Sequence, residues 1–456
     1  MHMRRHVPLL AGLLAAIAVS ASAQAIHVPV TIDTLPNGMR LIVHEDHSTP
    51  IVTVNTWFSV GSSSESVGRT GLAHLFEHLM FMGSQHAPYP QFDRLLEAAG
   101  ADNNASTSDD RTDYYEAGPI TALPLMLWLD ADRMGWFLPV MDSAKVNAQR
   151  DIVKNERRQS YENQPYGMAE DVIPRLMFPA GHPYSWPVIG SMTDLSAASL
   201  DDVRNFFRKF YAPNNATMAV VGDVRHEEVL ALVKKYFGAI PRGPAIEHPV
   251  PAPAKTLAAD TMVVLEDAVQ TARLQYLFPT VRSWSPDDAS LKVAAYVLSG
   301  AKNSRLDQRL VYNDQAASNV SASTEQEQLA GFFDITALPS PGHTVPELQR
   351  AIDAELQRLA KDGPTDREMQ QARNSMEARL LSSIETVQGK ANRLNMYYAE
   401  TGVADAFQKD LDRINAVTAA DVQRVVRQYL LGPRAILTVV PQGKRELAAA
   451  PRSSTP

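Results

Sequence analysis

Residues 199–221 read SLDDVRNFFRKFYAPNNATMAVV, and residues 418–440 read TAADVQRVVRQYLLGPRAILTVV. At a constant offset of 219, Asp202/Asp421, Val203/Val422, Arg208/Arg427, Ala216/Ala435, Val220/Val439 and Val221/Val440 are identical. Ser199/Thr418 and Phe210/Tyr429 are close substitutions. Each copy carries the signature of a capped helix, a Pro-containing turn and an apolar strand. Between Ile240 and Ala254 lie five prolines among few apolar residues, the composition of a linker. One copy stands just before that linker and the other near the chain end, as a duplicated domain requires. The division is therefore 26–240 for the first domain, 241–254 for the linker and 255–447 for the second.

Local patterns fill in the first domain. Val28-Pro-Val-Thr-Ile-Asp and Met39-Arg-Leu-Ile-Val-His-Glu flank Pro36-Asn37-Gly38, the pattern and turn chemistry of a hairpin. Ile51 to Val60 is a further β-rich run, Gly68 to Gly83 reads as a helix, and Asp142 to Glu162 as a long one ended by Pro165.

Composition removes several functions. With 43 Lys+Arg against 51 Asp+Glu, the net charge of −8 leaves no cationic excess for nucleic acid. The absence of cysteine excludes disulfides, thiol catalysis, Cys-ligated zinc and iron–sulfur clusters. A metal here must rest on His and carboxylates. Arg4 and Arg5, the apolar run Val7 to Val19 and Ser20-Ala21-Ser22-Ala23 form a signal peptide, residues 1–23. Its apolar run is shorter than the ~20 residues that cross a bilayer. The expectation is an exported chain, in the periplasm, with no membrane span once the leader is cleaved.

The stretch with the clearest chemistry is Gly71-Leu-Ala-His74-Leu-Phe-Glu77-His78-Leu-Met-Phe-Met-Gly83. Four positions apart on a helix, His74 and His78 project from one face and can share a metal. Glu77 reaches a water at that metal from the edge of the same face, the inverted H-x-x-E-H order. Two His and a Glu in so apolar a helix are costly to bury without a partner. Catalytic zinc takes three protein ligands, so a third is needed. Asp102, Asp109, Asp113, Glu116, Asp130, Glu156 and Glu162 all qualify by type, and spacing does not choose among them.

With a glutamate 78 positions after the second histidine and a duplicated chain of this length, the sequence resembles the pitrilysin/insulinase zinc peptidases. It is most similar to their short bacterial members and the mitochondrial processing peptidases. Asn103-Asn-Ala-Ser-Thr107, Asp151-Ile-Val-Lys-Asn-Glu156-Arg-Arg, Asn163-Gln-Pro-Tyr-Gly167, His182-Pro-Tyr and Tyr211-Ala-Pro-Asn-Asn-Ala216 carry the likeness along the chain. The resemblance implies an α+β fold of two homologous domains, each a mainly antiparallel sheet with helices packed on one side. It implies one Zn²⁺ per chain on His74, His78 and Glu156, with Glu77 as the catalytic base. It places Asn104, Ala105 and Thr107 on an edge strand that pairs with peptide substrate.

Two departures from the family are visible. A further glutamate of many relatives, seven residues before the third ligand, is Gln149 here. The Arg and Tyr that complete relatives supply from the domain facing the zinc fall at Val311 and Ser318, with Arg305 and Tyr312 nearby. The second half does not repeat the zinc motif: aligning Gly300 with Gly83 puts Leu291, Ala294 and Ala295 opposite His74, Glu77 and His78. The family builds its chamber from two domain pairs. The expectation is therefore a zinc-dependent endopeptidase subunit completed by a paralogous chain carrying the Arg/Tyr pair, or by a second copy of itself. The alternative is a zinc-retaining assembly or scaffold subunit without turnover, against which the intact Glu77 argues.

Overall fold

The computed structural model describes residues 25–451, so the leader expected at 1–23 lies outside the described residues. Six strands form the first sheet: β1 (Thr31–Thr34), β2 (Arg40–Glu45), β3 (Ile51–Phe58), β4 (Asp102–Thr107), β5 (Thr112–Pro119) and β6 (Ala216–Gly222). Their order is β1-β2-β6-β3-β5-β4. Five form the second: β7 (Thr261–Asp267), β8 (Arg273–Thr280), β9 (Ala317–Gln326), β10 (Gly331–Pro339) and β11 (Ala435–Pro441), in the order β7-β11-β8-β10-β9. Every pairing is antiparallel except β2 with β6 and β7 with β11. Without β1 the two orders are the same, β4 and β9 being corresponding edges. The expected hairpin at Pro36-Asn37-Gly38 is the turn between β1 and β2.

The repeated segment behaves alike in both halves. Ser199 and Asp202 form a capping box on helix Leu200–Phe210, as Thr418 and Asp421 do on helix Ala419–Val425. Each box satisfies backbone donors that would otherwise be orphaned at the helix start. The strands that follow, β6 and β11, run through the middle of their sheets. Residues 241–254 contain neither helix nor strand, yet they are tied down. Gly243 N donates to Asn214 Oδ1 (2.7 Å) and His182 Nε2 meets Ala252 O (3.2 Å).

Each half packs its own helices on one face of its sheet. Leu41, Val43, Val54, Phe58, Met218 and Val220 meet helices Leu72–Leu79, Leu123–Trp136 and Leu200–Phe210 in the first core. Leu274, Tyr276, Phe278, Phe333, Ile335 and Ile436 meet helices Asp288–Ser299 and Val345–Asp362 in the second. The other face of each sheet is covered by a helix from the opposite half. Helix Val387–Thr401 lies on β3 and β6, packing Ala391, Leu394 and Tyr397 against Ile42, Ala219 and Val221. Helix Met168–Met177 lies on β8 and β11, packing Ala169, Ile173 and Met177 against Leu277, Leu437 and Val439. These two helices begin 219 residues apart, the offset of the repeat.

The β4–β5 and β9–β10 hairpins also match, each closed around a two-residue tip by Ser108 N to Arg111 O (2.8 Å) and Glu327 N to Ala330 O (3.1 Å). The two tips meet. Gln328 N donates to Asp110 Oδ2 (3.0 Å), and Tyr184 bridges them, its hydroxyl donating to Asp110 Oδ1 (2.8 Å) and accepting from Leu329 N (3.0 Å).

Candidate metal centre

The inverted motif occupies helix Leu72–Leu79, whose Leu72, Ala73, Leu75, Phe76 and Leu79 are buried. Phe76 anchors it among Phe137, Phe206, Phe207 and Tyr211, with ring centroids 4.2–5.9 Å away. The helix start is capped from outside the motif. Glu65 accepts from Gly71 N (3.0 Å) and Ala73 N (2.7 Å), capping the helix start with a carboxyl group whose pKa burial raises to about 8 against the pull of those bonds. Gly71 itself has φ +84°, and a Cβ on Gly190 would fall 2.4 Å from its Cα. Two glycines are what let the loop before helix Met192–Ala197 touch the start of the motif helix.

The face left over carries His74, Glu77 and His78. Opposite it, helix Ser143–Arg157 brings in Glu156 near its end. His74 Nε2 lies 3.7 Å from Glu156 Oε1, and His78 Nε2 lies 3.3 Å from Glu156 Oε2. The imidazole planes stand at 84°. Among the described residues, these three form the one group of His, Asp and Glu whose ligand atoms all lie within 4.8 Å of one another. Bonds of ~2.1 Å in a tetrahedral shell put ligand atoms roughly 3.4 Å apart, so the spacing and the two-nitrogen, one-oxygen donor set suit zinc. Burial lowers the His74 pKa to about 4, which keeps its ring neutral and able to ligate. A hydrogen bond from His78 holds the Glu156 carboxyl below its ordinary range.

Glu77 is on the same face but belongs to a different set of contacts. Its Oε2 accepts from Thr107 Oγ1 (2.5 Å). Burial raises its pKa against the opposing effect of that hydrogen bond, which strengthens it as a proton acceptor.

The other acids that spacing left open are engaged elsewhere or stand apart. Asp109 accepts from Ser62 Oγ, Asp113 from Ser106, Asn55 and Arg111, and Glu116 and Asp130 both hold Arg133. Glu162 faces Arg157 at 3.9 Å, and Asp102 is exposed at the start of β4. Arg157, beside Glu156, donates to Gly190 O (2.9 Å) and to Asp171 Oδ1 (2.7 Å) while buried. It ties the Glu156 helix to the loop that touches Gly71. Glu65 and Arg157 were given no role by the sequence reading. The signals were an acid just ahead of the helix start and a basic residue next to the third candidate ligand. Gln149 is buried, its Nε2 against Met82 Sδ.

The expected substrate-pairing residues are on β4, which is an edge strand. The Ser108–Arg111 bond fixes which main-chain groups face outward, because bonded and non-bonded pairs alternate along the ladder. Asn103, Ala105 and Thr107 turn their N–H and C=O groups to the open edge, whereas Asn104 pairs its main chain with Tyr115. The Asn104 side chain turns back on the strand, its Oδ1 accepting from Ala105 N (2.8 Å).

The second half has no such centre at the matching place. Leu291, Ala294 and Ala295 are buried core residues of helix Asp288–Ser299. Val311 packs against that core, and Ser318 Oγ donates to Leu338 O (3.3 Å). Arg305 is held by Glu368 (2.7 and 2.9 Å) and Gly363 O (2.9 Å). Tyr312 is exposed.

Comparisons with known proteins give the family and the fold. Residues 40–182 match the family described as insulinase (peptidase family M16), and residues 197–376 match the peptidase M16 inactive domain. The chain is 29% identical over 442 residues to the zinc protease PqqE of Helicobacter pylori, covering 94% of this chain and 96% of that protein. It is 26% identical to a probable mitochondrial-processing peptidase subunit beta of Arabidopsis thaliana, covering 88% and 76%. The crystal structure of a protease from Helicobacter pylori superposes with a TM-score of 0.84 at 26% identity, over 91% of this chain and all of that one.

Proposed function

The chain belongs to the M16 peptidase family, and from that premise we propose that it is an exported zinc-dependent endopeptidase subunit. The observation that carries the reading is the convergence of His74, His78 and Glu156 beside Glu77, with Glu77 bonded to Thr107 on an open edge strand. His74, His78 and Glu156 hold one zinc per chain. That zinc supplies Lewis-acid polarisation of a peptide carbonyl and acidifies water. Glu77 takes the proton from the attacking water and delivers it to the departing amine. The Thr107 hydroxyl fixes which carboxylate oxygen stays free for this exchange. Substrate lies along β4 as an added strand, bonding the outward main-chain groups of Asn103 and Thr107 and the C=O of Ala105, whose N–H is taken by Asn104 Oδ1, with little demand on sequence.

A paralogous partner chain completes the site. Transition-state charge on the substrate carbonyl needs donors aimed at it. Val311 and Ser318 stand where relatives carry Arg and Tyr, and Arg305 is committed to Glu368. Likeness to a processing-peptidase beta subunit supports assembly with a second chain. The leader-like residues 1–23 support export to the periplasm. The deciding experiment combines elemental analysis with peptide turnover on the isolated chain, with and without the paralogue. One zinc per chain and activity rising ~100-fold on mixing is expected, since one lost carbonyl donor costs ~10²–10³ in rate. Full activity as a lone monomer or homodimer refutes the heterodimer, and a zinc-free protein refutes the metal site.

A further inference from the structure

The second half keeps the frame of the metal centre after losing the metal ligands. Helix Asp288–Ser299, β9 and helix Asp366–Ser382 stand where the motif helix, β4 and the Glu156 helix stand in the first half. Between them is a cleft of about 400 Å³. Its lining carries Lys292, Arg379, Arg393 and Asp410. Lys292 is paired with Asp288 (3.0 Å) and Asp410 with Arg413 (3.2 Å). The guanidinium of Arg379 touches only neutral groups, Gly300 O at 3.2 Å and the Tyr296 ring. That of Arg393 touches Ser383 Oγ at 3.1 Å and Met396 Sδ. Among the described residues neither is within ion-pairing distance of a carboxylate. Arg379, exposed, and Arg393, half-buried, thus share the cleft with Asp410 while keeping guanidinium forks that no ion pair occupies, and such forks suit a carboxylate.

The strand beside the cleft says which carboxylate. Register from the Glu327–Ala330 bond turns the main-chain groups of Val320, Ala322, Thr324 and Gln326 to the open edge. At the Val320 end the edge is closed, because Ser299 Oγ lies 3.1 Å from Val320 O. An added strand therefore stops by Ala322, next to Ser299, Gly300 and Arg379. A peptide running antiparallel to β9 has its carboxyl end there.

We propose that this cleft anchors the C-terminal carboxylate of a bound peptide, with Arg379 and Arg393 as the recognising pair and β9 as the pairing strand. The proposal rests on the reading of the chain as a peptidase subunit, since it assigns the anchor to peptide substrates or products.

The test uses the full, zinc-loaded chain carrying Glu77→Gln and peptides labelled at the N-terminus, read by fluorescence anisotropy, with mass spectrometry confirming intact peptide. A peptide with a free C-terminal carboxylate is expected to bind about tenfold tighter than its C-terminal amide, the scale of a charge-assisted bidentate contact. The double variant Arg379→Gln, Arg393→Gln should erase that difference while zinc content stays at the parent value. Arg379→Lys, Arg393→Lys keeps the charge without the fork and should retain part of it. Equal affinity for acid and amide, or a difference that survives in the Gln double variant, overturns the proposal. So does an amidated peptide with one internal Glu binding as tightly as the free acid. Failure of the wild-type chain and its paralogue to cleave any peptide counts against the peptidase reading alone, because binding is measured without turnover.

Discussion

The first and second halves present the same three elements around the same place, and only the side chains differ. In the first, helix Leu72–Leu79 offers His74, Glu77 and His78 to a carboxylate at Glu156. In the second, the corresponding helix offers Leu291, Ala294 and Ala295, all in the core. At the 219 offset, Ser375 and Met376 stand opposite Glu156 and Arg157. The pair teaches that the sheet, hairpin and helix pairing do not need the metal. They are held by apolar packing and capping that both halves share. Chemistry is a property of one helix face set on that frame.

The largest effect that tests this contrast is at Glu77. Glu77→Gln should cost ~10²–10⁴-fold in peptide turnover while zinc content and melting temperature stay unchanged. Loss of zinc would instead make Glu77 a ligand, and undiminished turnover would remove it as the base. His78→Ala should empty the site in the same elemental analysis.

Next is the support of Glu156. Arg157→Ala strips a buried partner from Asp171, which keeps Arg175, so a loss of about 1–3 kcal/mol is expected in urea unfolding. Zinc affinity should fall with it, because Glu156 loses its fixed position. Met376→Leu, the matching change in the other half, should be nearly silent.

A smaller effect separates the two edge strands. Thr107→Val removes the bond to Glu77 and should lower turnover about 2–10-fold, the worth of one neutral hydrogen bond. Gln326 occupies the matching position on β9, and both its amide atoms are buried without a hydrogen-bond partner among the described residues. Gln326→Leu should therefore leave stability unchanged or raise it by up to about 1 kcal/mol. A costly Gln326→Leu would break the equivalence of the strands.

The smallest is a pH effect at the junction of the hairpin tips. Burial, with the charges of Asp109 and Asp110 nearby, pushes the Glu327 pKa from 4.5 to about 8. A carboxyl raised in the folded state stabilises it below the unfolded value, and that contribution is lost as pH rises through the folded one. The melting temperature should thus decline between about pH 5 and pH 8, and Glu327→Gln should make the decline shallower, the rest coming from Asp109 and Glu65, which burial raises to about 7 and about 8. An unchanged slope would mean that the junction does not titrate there.

Much of this was legible in the sequence. Period and turn chemistry exposed the hairpin, the motif helix and the repeated helix–turn–strand, because each is set by residues close together in the chain. Third-ligand choice was not legible from spacing: seven acids qualified, and Glu156 was named only by family resemblance. What separates them is which carboxylate lies unengaged against the His pair, a matter of helix packing. The main-chain orientation of Asn104 was not legible for a related reason. Which main-chain groups of a strand face outward depends on register, and register is set by the bond at the hairpin tip. The exchange of helices Met168–Met177 and Val387–Thr401 was also invisible, since an amphipathic helix does not record whose sheet it covers.

That exchange has a consequence for how the molecule holds together. A half on its own would leave one sheet face bare, with Ile42, Ala219 and Val221, or Leu277, Leu437 and Val439, in water. The arrangement is that of a domain-swapped dimer whose two protomers have been joined end to end. The 241–254 segment then acts as a tether that raises effective concentration, not as a hinge between independent bodies. Cutting it should leave two fragments that co-purify and melt as one unit.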